Sequence, residues 1–129
     1  MQSFLSEGSM LIAQKSLDAL WLRQKVISDN IANIDTPGYK SKTVAFEQTL
    51  ITAVATLSQD EEQFCSAIEK ISPQIRSNNS TQMREDGNNV DIDAENIELT
   101  RVQLQYEYMA RALSSELSRM KIAITEGRA

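Results

Sequence analysis

Residues 33–40 read NIDTPGYK. They stand between a long stretch of helical periodicity and a segment with none. Pro37 cannot continue a helix, and it pushes Thr36 toward an extended conformation. Gly38 can take the positive φ that a tight turn needs at its third position. Tyr39 opens a segment that reads as extended. A single glycine would end a helix, so this run of Asn, Asp, Thr, Pro, Gly and Tyr asks for a further purpose.

Upstream, the pattern predicts one helix over residues 9–34. With Met10 at heptad position a, the a and d positions are Met10, Ala13, Leu17, Leu20, Gln24, Ile27, Ile31 and Ile34. All but Gln24 are apolar, which is a coiled-coil seam. Downstream, residues 94–124 predict a second long helix. Asp91, Asp93 and Glu95 stand at its start, where the helix dipole and free N–H groups favour carboxylates. Its seam is Leu99, Val102, Tyr106, Met109, Leu113, Glu116, Met120 and Ala123, with Leu117 beside Glu116 able to substitute. The fold class is mainly α: long N- and C-terminal helices pair as a coiled coil, with a short extended segment and small helices between them. The divisions are 1–34, an N-terminal axial helix; 35–50, the turn and extended segment; 51–85, a variable middle; and 86–129, a turn and the C-terminal axial helix.

Between the long helices, Phe46, Leu50, Val54 and Leu57 fall at helical spacing. Phe64, Ile68 and Ile71 do so again after a cap expected at Ser58, and Pro73 is expected to end that piece. Residues 74–85 read as a loop. Asp86-Gly87-Asn88-Asn89 is a turn signal, and Val90 and Ile92 point to a short strand.

Both long helices are apolar on a second side. Ile12, Ala19, Leu22 and Val26 fall opposite the first seam, and Ile97, Leu104, Tyr108 and Ile122 opposite the second. A two-helix hairpin would leave these in water. The short middle segment is not expected to cover both sides of helices ~40 Å long at a rise of ~1.5 Å per residue. The cover is therefore expected from other subunits, through Ile12, Leu22, Val26, Leu104, Tyr108 and Ile122. The competing arrangement is a self-contained three- or four-helix bundle.

Composition narrows the chemistry. The chain has 129 residues, a net charge of −5, no histidine and one cysteine, Cys65. That balance argues against a nucleic-acid or anionic-membrane surface. Without histidine, the commonest general base and metal ligand is missing. The spacing of Asp91, Asp93 and Glu95 lacks the glycine and twelfth-position Glu of a calcium loop, so helix capping is expected. No nucleophile–base pair can be assembled. Catalytic, metal, cofactor and small-molecule roles are not expected. The N-terminal twenty residues lack the basic and apolar regions of a cleaved signal peptide.

Residues 26–39, VISDNIANIDTPGY, resemble the N-terminal signature of the bacterial flagellar rod, hook and hook-filament junction proteins. Asn30, Ile31, Ala32, Asn33, Thr36, Pro37, Gly38 and Tyr39 carry the match. KSKTVAF (40–46), DGNNVDIDAE (86–95) and the Leu- and Tyr-rich C-terminal helix look like the proximal rod proteins of the basal body family. The resemblance implies a structural subunit of the proximal rod whose terminal helices pair and polymerise into an axial shaft. It implies partners in further copies, other rod proteins and the membrane-ring and export-gate base. It also implies type III export without a cleaved signal to a periplasmic rod. Asn30, Asn33, Thr36, Pro37, Gly38 and Tyr39 would form a joint that turns the chain outward. Alternatives are another small rod protein of the family, or an all-α type III export chaperone or adaptor.

Overall fold

A computed structural model describes residues 7–55, 60–79 and 84–127. The elements run α1 (Glu7–Ala32), β1 (Lys42–Ala45), α2 (Glu47–Ala55), α3 (Glu61–Glu69), β2 (Gln74–Ser77) and α4 (Ile92–Glu126). The fold is mainly α. At ~1.5 Å per residue, α1 spans ~39 Å and α4 ~52 Å.

The long helices pack antiparallel along their seams. Leu20, Ile27 and Val102 are buried together, with Ile31, Leu99 and Met109 packed against them. Further along, Met10 of α1 meets Leu113 of α4 around a shared hollow. Asp91 caps α4, its carboxylate accepting from the Asp93 and Ala94 amides. The aligned amides of the first turn account for an acidic residue there.

A second cluster corrects the expectation that α1 is bare on its far side. Ala19, Phe46, Ile68 and Ile71 are buried together, with Leu11, Ile12, Leu50, Ala53 and Phe64 against them. The middle segment thus folds back onto α1. Its two short helices and Phe46 bury an apolar stripe that would otherwise cost about 25 cal/mol per Å² left in water. Ile12 belongs to this internal cluster and is not a free outer face. Lys15 fastens the arrangement by donating to the Glu69 carbonyl at the end of α3. Among the described residues the middle helices pack chiefly on α1, while Ile97, Leu104, Tyr108 and Ile122 of α4 stay exposed.

The stretch after α3 also departs from expectation. The helix ends at Glu69, before Pro73, and Gln74–Ser77 form β2 rather than loop. Pro73 restricts Ser72 to extended backbone and so launches a strand. The strands β1 and β2 pair antiparallel, Lys42 opposite Ser77 and Val44 opposite Ile75. Val90 is buried outside any strand, because its amide is taken by the Asn88 side chain. Ile92 is the first residue of α4. Asp60 caps α3, accepting from the Glu62 amide; Ser58 lies outside the described residues.

Candidate functional site

The joint is built where α1 stops. The helix ends at Ala32, two residues short of the expected Ile34. Its last turn tightens: the Asn33 amide is shared between the Asp29 and Asn30 carbonyls, and the Ile34 amide reaches the Ile31 carbonyl. The chain then reverses through Thr36, Pro37, Gly38 and Tyr39. The Tyr39 amide donates to the Thr36 carbonyl at 3.2 Å, and Gly38 has φ +74°. This is a type II turn, with proline at its second position and glycine at the third.

Asparagine side chains bind the turn to the rest of the molecule. Asn30 is fully buried. Its Nδ2 donates to the Lys42 carbonyl at 2.8 Å and to Glu95 Oε2 at 3.2 Å. Its Oδ1 accepts from the Lys42 amide at 3.0 Å and the Tyr39 hydroxyl at 3.1 Å. One amide therefore joins α1, the start of β1, the joint and α4. Asn33 acts locally, its Nδ2 donating back to the Asp29 carbonyl and its Oδ1 accepting from the Thr36 hydroxyl.

Two partners were not legible as such in the sequence. Asn88, fully buried, donates its Nδ2 to the carbonyls of Asn33, Ile34 and Thr36 at 2.9, 3.0 and 2.9 Å. It braces the turn that follows α1 from 52 or more residues away in the chain. Asn89 accepts from the Ser41 amide and donates to the Asn78 carbonyl, locking β1 to β2. In sequence these residues look like an ordinary turn. The usable signal is that a chain leaving a helix into a tight turn has backbone carbonyls outside any ladder, and buried ones need a donor. Gly87, with φ +84°, lets its turn stack on the joint: a Cβ there would stand 3.6 Å from the Gly38 Cα, and the Gly38 amide donates to the Asp86 carbonyl. Arg84 adds a donor to the Ile34 carbonyl.

Charges around the joint respond to burial and pairing. Burial first, then the carboxylates of Asp29 and Glu95, raise the Tyr39 hydroxyl above its usual pKa. Burial raises Glu95 above the usual carboxylate value against the bond from Asn30, with Glu98 and Asp91 adding to the rise. Glu47 is held low chiefly by its bond from Arg23, which grips both carboxylate oxygens at 2.6 and 2.7 Å and also donates to the Val44 carbonyl.

The other singled-out residues divide. Leu20, Ile27 and Val102 are buried on the seam; Leu17, Ile31, Leu99, Met109, Leu113 and Met120 are half-buried, and Tyr106 is 36% exposed at its edge. Val26, expected on an outer face, is 4% exposed. It sits under β1 and beside α4 in the floor of a groove, so the chain covers it by itself. Leu22 is half-buried. Leu104, Tyr108 and Ile122 are 63%, 74% and 56% exposed, and Ile97 continues their stripe along the back of α4. Among the described residues no group of acidic, histidine or cysteine side chains is placed to hold a metal ion, and no helix is long and apolar enough to cross a membrane.

A family described as flagella basal body rod protein matches residues 10–40, which are α1 and the joint. Over the longer span, the chain is 30% identical to the flagellar basal body rod protein FlgB of Bacillus subtilis (strain 168) across 127 residues, 96% of this chain and 98% of that protein. The chain belongs to the FlgB family of flagellar basal body rod proteins. FlgB of Borreliella burgdorferi is 32% identical over 130 residues, covering 92% of this chain and 96% of its own. FlgB of Escherichia coli (strain K12) is 29% identical over 132 residues, covering 94% and 96%. The likeness to FlgB thus runs through the middle segment and α4 as well as the joint.

Proposed function

We propose that this chain is a structural subunit of the proximal rod of the bacterial flagellar basal body. It assembles with further copies and with other rod and basal-body components, and its role is mechanical rather than catalytic. One observation carries the reading: similarity to FlgB proteins along nearly the whole chain, in a fold whose longest helix keeps an apolar stripe in water. Ile97, Leu104, Tyr108 and Ile122 expose apolar area that burial in an assembly would remove from solvent. The paired helices form the axial part, and the joint turns the chain out of α1 into β1, from which the middle segment packs back along α1. Export by the flagellar type III apparatus to a periplasmic rod, docked on the membrane-ring and export-gate base, belongs to the same reading. An export chaperone has no need of a joint tied to its long helices by buried asparagines.

Deletion of the gene tests this. Cells lacking the chain are expected to be non-motile and hookless, and cryo-electron microscopy of complemented basal bodies to place the chain in the rod. Normal hooks in the deletion strain, or a chain confined to the cytoplasm of complemented cells, would remove the proposal.

A further inference from the structure

A groove of about 540 Å³ runs between β1 and the N-terminal half of α4. Its floor is apolar, formed by Val26, Ile27 and Val44. Its charged rim is nearly all committed. Arg23 is held by Glu47, and Arg101 by Glu98 at 2.7 Å, while Lys42 lies over the Tyr39 ring. Glu95 is the exception. Its carboxylate accepts from Asn30, and among the described residues no cation lies within ion-pair distance of it.

The opposite end of α4 carries the complement. The helix is polarised along its length: Asp93, Glu95, Glu98 and Glu107 outnumber Arg101 in its first half, whereas Arg111, Arg119 and Lys121 outnumber Glu116 and Glu126 in its second. Leu117, Lys121 and Ile124 fall at i, i+4 and i+7, the spacing with which a helix anchors in a groove. Leu117 and Ile124 are 48% and 60% exposed. Arg111 and Arg119 are paired within the helix, and Lys121 makes no ion pair among the described residues.

We propose that the C-terminal end of α4 in one copy seats in the β1–α4 groove of a second copy, with Leu117 and Ile124 on the Val26–Ile27–Val44 floor and Lys121 against Glu95. The inference rests on the rod reading and adds which surfaces meet. Donor and acceptor lie at opposite ends of the same helix, so the contact is head-to-tail. Such contacts repeat from copy to copy and build helical arrays rather than closed two-fold dimers.

Cross-linking in assembled rods tests it. In a Cys65→Ser background, cells co-produce one tagged copy with Thr43→Cys, at the groove, and a differently tagged copy with Leu117→Cys. Both positions are exposed in the single chain, so neither change disturbs its own core. Oxidised, isolated basal bodies are expected to contain the mixed disulfide dimer. Asp18→Cys in place of Thr43→Cys, or Lys121→Glu added to the Leu117→Cys copy, should lower its yield about tenfold, while Lys121→Arg preserves it. Equal yield from Asp18→Cys, indifference to Lys121→Glu, or a Thr43→Cys adduct only with a different rod component overturns the contact. Rods that contain the chain without the dimer overturn the contact and leave the rod reading standing; rods without the chain overturn both.

Discussion

Asn30 shows how much one side chain can decide. A buried amide must satisfy its two donors and its acceptor, and here each partner belongs to a different part of the chain. The sequence marks Asn30 as part of the joint but not what it binds, because its partners are 9 to 65 residues away. Asn88 is less legible still: a buried amide that braces a turn and an exposed turn residue look the same in a polar run. Asn88→Ala is expected to cost about 1–3 kcal/mol, since three carbonyls each lose one of two donors and a buried amide is removed. The exposed Asn79→Ala should cost far less, and comparison of urea midpoints decides between them. The carboxylates give a pH signature with opposite signs. Glu47 is lowered from its ordinary value of 4.5, so its stabilisation is present above that value and lost as pH falls through the folded pKa. Glu95 is raised from 4.5, so its contribution is full below that value and lost as pH rises through the folded pKa. Glu47→Gln should therefore flatten the gain in stability from acid toward neutral pH, and Glu95→Gln should steepen it by removing the opposing loss. Unfolding midpoints across that range, with parallel curves for the variants and the parent, would refute the assignment.

Among the elements, α1, α4 and the joint could be read from the sequence because their signals are local: heptads, a capping acid, proline before glycine. The strand β2 could not. Four exposed residues carry no pattern of their own, and the strand exists because β1 offers a partner. The second face of α1 departs from expectation for a related reason. Periodicity shows that a face is apolar, not which segment covers it, and α2 and α3 proved long enough to cover part of one helix. The joint's separate contribution can be measured by replacing Pro37 and Gly38 with two alanines. Relative to Ala, Pro is disfavoured in a helix by ~3 kcal/mol and Gly by ~1 kcal/mol, so the change invites α1 to run on. It also places a Cβ at φ +74°, where side chains are strained. Tyr39 and Lys42 would then leave Asn30, and β1 would lose its anchor. We expect normal synthesis and export of this variant, but no rod and no hooks. Hooked, swimming cells would show that the turn is merely a helix stop.

At the scale of the whole molecule, cover is uneven. The described part of α1 is packed on two sides, by α4 and by the middle segment. By contrast, α4 runs to 35 residues against 26 for α1, and from Arg111 onward only Leu113, Glu116 and Met120 are even half-buried, the rest of its described side chains being exposed. A helix gains most of its stability in a protein from packing of its apolar face, so an uncovered end opens at little cost. Amide hydrogen exchange on the dilute, isolated chain should therefore be graded. Amides near Leu20, Ile27 and Val102 should be the slowest, because exposing them breaks the buried seam. Those of residues 115–126 should exchange much faster, although they are as helical in form. The order was not available from the heptads, which mark both regions alike. It follows from which stretches of seam the chain itself covers. In assembled rods the difference should shrink, since neighbours would then shield the back of α4. Protection of residues 115–126 equal to that of Val102 in the free chain would mean the helix end is stable unaided, and the case for its completion by assembly would fall.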